Sequence, residues 1–154
     1  MTGHGSPATL ERQSVMPRLP IALFVTCLVP QCAAAADWTE IASNRDMTVL
    51  IDSQSIKQRG TLLKVWTKAF WVRPQDVPNT KHVFQSMVQQ QLVDCSTGSL
   101  GVIQWLRYSA PSGGDLIDSQ SFDEAKMQLT DPAPGSFGES IVKFACQQPV
   151  SAPK

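Results

Sequence analysis

Hydrophobic and polar positions after residue 46 alternate in short runs separated by turn signals, a pattern typical of β-strands. A first run spans residues 47–52. The stretch 61–72 is the longest run, and its even positions mix lysines with aromatic residues. We therefore predict a long strand with one buried face and one half-exposed face. Residues 73–80 contain two prolines and polar side chains, which predicts a loop that ends this strand. The apolar row lies at its odd positions, Leu63, Val65, Ala69 and Trp71.

Three further strands are predicted at residues 82–95, 101–109 and 116–122. The alternation in 82–95 is poor at its three consecutive glutamines, so a helix is an alternative there. A strand is favoured because the long strand at 61–72 needs an antiparallel neighbour, and this segment is the nearest. The turn at 110–115, which contains two adjacent glycines, joins the last two strands as a hairpin.

The C-terminal part changes character and predicts a short helix. Ser136 and Glu139 have the spacing of a capping box, and residues 140–146 follow as the helix, with Ile141, Phe144 and Ala145 facing the sheet. The predicted architecture is α+β: a single antiparallel sheet of five or six strands with a C-terminal helix packed on it. Residues 148–154 are expected to be a disordered tail.

The N-terminus has the features of a secretory signal peptide. Arg12 and Arg18 precede an apolar run of about eleven residues, and alanines follow at 33–36. A helical membrane span needs about 20 residues, so we predict a cleaved leader at 1–36 and no membrane span afterwards. Met16 is an alternative start. Processing as a lipoprotein at Cys32 is disfavoured, since Gln31 stands where a small residue is required.

The remaining chain is predicted to be one exported domain at 37–147, located in the periplasm or on the outer cell surface. Arg12, Arg18 and Glu11 leave with the signal peptide, so 11 basic and 12 acidic residues remain. A nearly neutral domain lacks the basic excess that binding to nucleic acid requires. The 118 residues that follow position 36 suffice for one compact domain.

Cysteine usage predicts one disulfide. Cys27 and Cys32 belong to the leader, and Cys95 and Cys146 remain. An even pair in an exported domain indicates a structural bond. This bond would close a loop of about fifty residues, worth roughly 4 kcal/mol in the chain-entropy model. A redox or metal role is disfavoured because the two cysteines are far apart in sequence.

Candidate catalytic and metal-binding residues are few, and we predict neither an enzyme nor a cofactor. His82 is the one histidine after the leader, and no serine lies in a nucleophile-elbow sequence. One histidine and two paired cysteines cannot complete a zinc site. Four carboxylates cluster in sequence, but their spacing does not follow a calcium loop, so a solvated hairpin is favoured. These are Asp115, Asp118, Asp123 and Glu124.

Basic residues beside aromatic ones suggest a partner-binding strip. The strip comprises Lys64, Trp66, Lys68, Arg73 and Lys81. Such a surface suits protein recognition, a homodimer or a polyanion such as a glycosaminoglycan. The alternative is that these lysines simply alternate with core residues on a half-exposed strand.

The order of several short motifs resembles the surface-adhesin E family of small exported bacterial proteins. The motifs are Trp-Thr-Glu-Ile at 38–41, Ile-Asp at 51–52 with Ser-Ile at 55–56, Leu-Lys-Val-Trp at 63–66, Val-Asp-Cys at 93–95, Arg-Tyr-Ser at 107–109, and Pro-Gly-Ser at 134–136 before Glu139 and Cys146. The resemblance implies an antiparallel sheet that carries a helix and is locked by a Cys95–Cys146 bond. It also implies a non-enzymatic envelope protein, similar to a dimeric adhesin that binds host matrix and plasma proteins such as vitronectin and laminin. The alternative is a periplasmic structural or accessory protein without a host ligand.

Overall fold

The computed structural model describes residues 1–2 and 36–149. Nearly all of the predicted signal peptide, including Cys32, therefore lies outside the described residues, as does the predicted tail beyond residue 149. The only α-helix in the described part has eleven residues, which is too short to cross a membrane.

Residues 36–149 form one antiparallel sheet, confirming the predicted α+β architecture with its C-terminal helix. The sheet has seven strands within the described residues, in the order β1-β2-β4-β5-β6-β7, and a short β3 also pairs with β4. The strands are β1 Trp38–Ser43, β2 Met47–Asp52, β3 Lys57–Arg59, β4 Leu62–Asp76, β5 Val83–Asp94, β6 Ser99–Ala110 and β7 Gly113–Ser121, and the helix α1 is Phe137–Gln147. Single 3-10 turns lie at Ser53–Ser55 and Glu124–Lys126.

The prediction that residues 73–80 form a loop is wrong in its first half, because β4 continues to Asp76. The pairing of β4 with β5 is interrupted between Phe70 and Gln75, and Pro74 lies in this interruption. Proline lacks an N–H group, so a bulge is one of the few places where a strand tolerates it. The side chain of Gln85 donates to the carbonyl oxygen of Trp71 at 3.2 Å and partly replaces the missing ladder bonds.

Two strands were not predicted, and both are peripheral. Strand β1 lies at the edge of the sheet and pairs with β2, with a register shift between Glu40 and Ala42. Strand β3 has three exposed residues and pairs only with the start of β4. Neither strand has the regular alternation of a half-buried strand, and this explains why the pattern of the sequence did not reveal them.

Helix α1 begins with the predicted capping residues, although three positions earlier than expected. The Ser136 hydroxyl oxygen accepts from the backbone N–H of Glu139 at 3.2 Å. The Glu139 carboxylate accepts from the N–H of Gly135 at 2.7 Å. The capping interaction is therefore reciprocal, but its second bond reaches the residue before the N-cap. Lys143 pairs with Glu139 at 2.8 Å one turn later.

The hydrophobic core lies between α1 and one face of the sheet, which we call the helix face. Ile141 and Ala145 are buried there as predicted, Phe144 is partly buried, and Val142 is buried although it was not predicted. The strand residues in this cluster include Val49, Ile51, Leu63, Val65 and Val93. Because side chains alternate along a strand, the even positions of β4 from 64 to 70 point to the opposite face. We call that opposite face the back face.

The predicted disulfide is present. Cys95 follows the end of β5 and Cys146 lies in the last turn of α1, with their Cα atoms 5.7 Å apart. Both residues are exposed to solvent. The bond therefore ties the C-terminal end of the helix to the end of a central strand.

One end of the back face is covered by the segment 122–130, which follows β7. A Cβ atom on Gly101 would lie 2.9 Å from side-chain atoms of both Met127 and Leu129, so this segment packs directly on the backbone of β6. Leu100 and Thr130 also form a β-bridge with two backbone hydrogen bonds of 3.0 Å. Glycine at position 101 is what allows this close approach.

Candidate functional site

Three of the five residues of the predicted strip share the back face. Lys64, Trp66 and Lys68 alternate along β4, and all three are half-buried. Arg73 lies in the interrupted part of β4 and Lys81 lies in the connection to β5, and both are exposed. The regular part of the strand thus groups three strip residues, while Arg73 and Lys81 lie outside it.

Lys64 has a structural partner. Its Nζ lies 2.8 Å from Oε2 of Glu124, and the Nε of Arg59 lies 2.9 Å from Oε1 of the same carboxylate. The hydrogen bond from Lys64 contributes most to lowering the pKa of Glu124 below its usual value, and the hydrogen bond from Arg59 contributes next. Lys64 therefore anchors the segment 122–130 on the back face and is less available to a partner than the sequence suggested.

Neighbouring strands contribute apolar residues to the same face, and the sequence analysis did not include them. Lys68 lies opposite Val88, which lies opposite Leu106. A second row runs from Phe70 across Ser86 to Tyr108 and Leu116. Together with Trp66 these residues form a surface that we call the back-face patch, comprising Trp66, Lys68, Phe70, Val88, Leu106, Tyr108 and Leu116.

The composition of the back-face patch is unusual for the outer face of an antiparallel sheet, which is commonly polar. Leu116 is 53% exposed and the other members are half-buried. Aromatic residues surrounded by few charges are enriched at the centres of protein interfaces. The patch therefore has the chemistry of a recognition surface.

The four carboxylates considered for calcium do not converge on one point. Asp118 pairs with Arg107 at 3.1 Å, Asp123 pairs with Lys126 at 3.3 Å, and Glu124 pairs with Lys64 and Arg59. Within residues 1–2 and 36–149, no group of three or more histidine, cysteine or carboxylate side chains is placed to hold a metal ion. Asp118, Asp123 and Glu124 therefore serve as separate ion-pair partners.

A second cluster on the helix face was also not predicted. The guanidinium carbon of Arg107 lies 4.0 Å from the ring centroid of Trp105 and 4.9 Å from that of Phe84. Phe84 in turn meets Trp71 edge-on, with ring centroids 5.3 Å apart. Cation–π contacts of this kind fix the arginine side chain in place. Trp71, which was predicted to lie in the apolar row of β4, is thus part of a stack whose other members come from β5 and β6.

Comparison with known families identifies the fold. The family model described as Surface-adhesin protein E matches residues 38–147. The chain belongs to this family. Surface-adhesin E membership confirms the predicted resemblance over the whole sheet and helix, from the start of β1 to the end of α1. No curated protein sequence matches the chain.

Solved structures of protein E from Haemophilus influenzae are similar to this surface-adhesin E protein. One is 15% identical with a TM-score of 0.51, covering 77% of this chain and 90% of its own. Crystal form II of the same protein is 16% identical with a TM-score of 0.53, covering 77% and 94%. A structure of protein E from a non-typeable strain is 15% identical with a TM-score of 0.50, covering 77% and 81%. At these identities the likeness shows a shared fold.

Proposed function

We propose that this protein is an exported, non-enzymatic binding protein of the bacterial cell envelope that contacts a protein partner through its back-face patch. The observation that carries the proposal is the patch itself, where three aromatic and three aliphatic residues share a face with Lys68. Helix α1 does not cover this face. Exposed apolar patches rimmed by polar residues mark interaction sites in soluble proteins. Membership of a family of surface adhesins supports the same conclusion.

The composition of the patch suggests how a partner would be held. Trp66 and Tyr108 offer large apolar areas with a polar tip, a combination enriched among residues that dominate interface energies. Lys68 lies beside Trp66 on β4 and adds a positive charge to the patch. Arg73 and Lys81 are exposed outside the regular part of the strand, and Arg73 lies 3.7 Å from Asp46. A protein with an acidic rim around an apolar centre fits this surface. Host matrix or plasma proteins, such as vitronectin and laminin, are the partner class that we propose.

The arrangement of the polar residues supports a non-enzymatic role. Asp118 and Glu124 are engaged in local ion pairs. His82 is exposed just before β5, and its backbone N–H donates to Thr80. Catalytic groups need a partner within hydrogen-bond reach and a cleft that holds the substrate, and these residues serve local structure instead.

Binding to immobilised vitronectin and laminin, measured by biolayer interferometry, tests the proposal. We expect Trp66→Leu to weaken binding by about tenfold or more, the loss typical of a central aromatic anchor. Lys68→Gln is expected to slow association and to reduce its dependence on salt. Lys143→Gln is the matched control, because it removes the same charge from α1 on the other side of the sheet. Equal affinities for the wild type, Trp66→Leu and Lys143→Gln would exclude the patch as the binding site.

Location separates this proposal from its alternative, a periplasmic accessory protein without a host ligand. Protease treatment of intact cells degrades the protein if it lies on the outer surface and spares it if it lies in the periplasm. Intact mass of the protein from its native host tests export, because removal of residues 1–36 leaves a chain that starts at Asp37. Sedimentation of the wild type and Trp66→Leu shows whether a second copy occupies the patch, since only a patch-mediated homodimer dissociates in the variant.

A further inference from the structure

A cleft of about 240 Å³ lies on the helix face, beside the first turn of α1. It lies on the opposite side of the sheet from the back-face patch, so a ligand in the cleft is independent of the proposed function. Its walls come from four adjacent strands, β2, β4, β5 and β6, and from the helix. They include Ala69, Trp71, Met87, Val102, Phe137 and Ile141.

The cleft is apolar with a small polar floor. Among the described residues that line it, none carries a charge, and Thr67, Gln89 and Gln91 supply its polar groups. The amide nitrogen of Gln91 donates to Thr67 Oγ1 and to Gln89 Oε1, each at 3.1 Å. Gln91 is only 2% exposed, and its amide oxygen has no hydrogen-bond partner within the described part of the chain. The floor therefore lacks one hydrogen bond that buried amides normally make.

The border of the cleft is held firmly in place. The start of α1 is fixed by the two capping bonds between Ser136, Glu139 and Gly135. A Cβ atom on Gly138 would lie 2.9 Å from the Cβ of Pro132, so the chain before the helix packs closely against its first turn. Preformed apolar clefts with a few placed polar groups are the usual form of small-molecule sites.

We infer that this cleft binds a small, neutral, largely apolar molecule that carries one hydroxyl or N–H group, of the alkylphenol or indole class. An uncharged lining disfavours ions, because burying an unpaired charge is costly. Cavities of about 150 Å³ accept benzene, so a volume of about 240 Å³ suits a ring with a short alkyl chain or two fused rings. The hydroxyl or N–H would supply the hydrogen bond that the amide floor lacks.

Three probes of matched size test the inference by two-dimensional NMR of the full, disulfide-bonded chain. They are 4-propylphenol, propylbenzene and 4-propylbenzoate. We expect saturable shifts of backbone amides that surround the cleft. Propylphenol should bind at least about threefold more tightly than propylbenzene, as one neutral hydrogen bond provides, and the benzoate should bind at least about tenfold more weakly than propylphenol. No saturable shift with any probe, or shifts confined to the back face, would overturn the inference.

Variants identify the site independently of the probes. Ala69→Leu fills the cleft and should weaken propylphenol binding at least about tenfold, since the added carbons occupy the space of the ligand. Ala125→Leu adds the same atoms at an exposed position and should leave the affinity within about twofold. Gln91→Leu should make the affinities for propylphenol and propylbenzene equal. If Ala69→Leu fails to fold, as its spectrum shows, Val102→Phe serves as the filling variant. A folded filling variant that binds like the wild type contradicts the inference.

Discussion

Removing the Cys95–Cys146 bond tests how the helix is held on the sheet. The bond joins the end of β5 to the last turn of α1 across a sequence separation of 51 residues. Both cysteines are exposed, so the double substitution Cys95→Ser with Cys146→Ser buries no new polar group. The loss of stability in this variant should therefore report mainly the constraint that the bond places on the unfolded chain.

The magnitude follows from the length of the closed loop. For a loop of 51 residues, the chain-entropy relation gives roughly 4 kcal/mol at 25 °C. Domains of this size are stable by about 5–15 kcal/mol in total. The double variant is thus expected to stay folded with a much smaller margin, or to be partly unfolded at 37 °C.

Urea denaturation followed by far-UV circular dichroism measures the change. We expect the free energy of unfolding to fall by about 4 kcal/mol and the m-value to rise, because an unfolded chain without the cross-link exposes more surface. The wild type in reductant is the control and should match the double variant within about 1 kcal/mol. A loss below about 1 kcal/mol would show that the bond constrains the unfolded chain far less than the chain-entropy relation predicts.

Three further predictions concern single side chains, all measured by the same denaturation. Ser136→Ala removes the N-cap acceptor of α1 and should cost about 1 kcal/mol, whereas Ser140→Ala, within the helix, should cost less. Ile51→Val deletes one methylene at a fully buried position and should cost about 0.5–1.5 kcal/mol with an unchanged m-value. The ion pairs of Glu124 lower its pKa in the folded state. They therefore stabilise the fold fully at pH values above the ordinary pKa of glutamate, which is about 4.3. This stabilisation is lost as the pH falls through the lowered pKa. The stability difference between the wild type and Glu124→Gln should therefore shrink between about pH 6 and pH 3, and a constant difference would contradict this pairing.

The central strands could be predicted because each has a periodic apolar face. Strand β2 was predicted with its observed bounds, and β5, β6 and the β6–β7 hairpin were predicted to within three residues. The helix was predicted from Ser136 and Glu139, whose capping bonds are present. These elements are specified by local chemistry, so a single sequence contains enough information to find them.

The extension of β4 past Pro74 could not be predicted from local pattern. Two prolines and several polar residues follow Val72, and locally they indicate a loop. The strand persists because β5 pairs again at Gln75 and Gln85 bridges the interruption through its side chain. These compensating hydrogen bonds come from residues more than ten positions away. The local sequence of residues 73–80 alone therefore cannot predict them.

The candidate site was predicted only in part for the same reason. Alternation along β4 correctly grouped Lys64, Trp66 and Lys68 on one face. The register between strands, which brings Val88 and Leu106 beside Lys68, is a property of the assembled sheet. The partner of Lys64 is Glu124, sixty positions away, and no local pattern in the sequence reveals this long-range pair.

The size of α1 explains why both sides of the sheet keep surface available for binding. Eleven helical residues span about 16 Å, whereas the twelve residues of β5 extend over about 40 Å. A helix about 10 Å wide therefore covers less than half of a sheet of six adjacent strands. On the helix face, the area that α1 leaves uncovered contains the cleft and the stack around Arg107. On the back face, the segment 122–130 covers one end of the sheet. A short helix on a broad sheet thus leaves two chemically different surfaces, the apolar cleft, where we propose a small molecule, and the aromatic back-face patch, where we propose a protein partner.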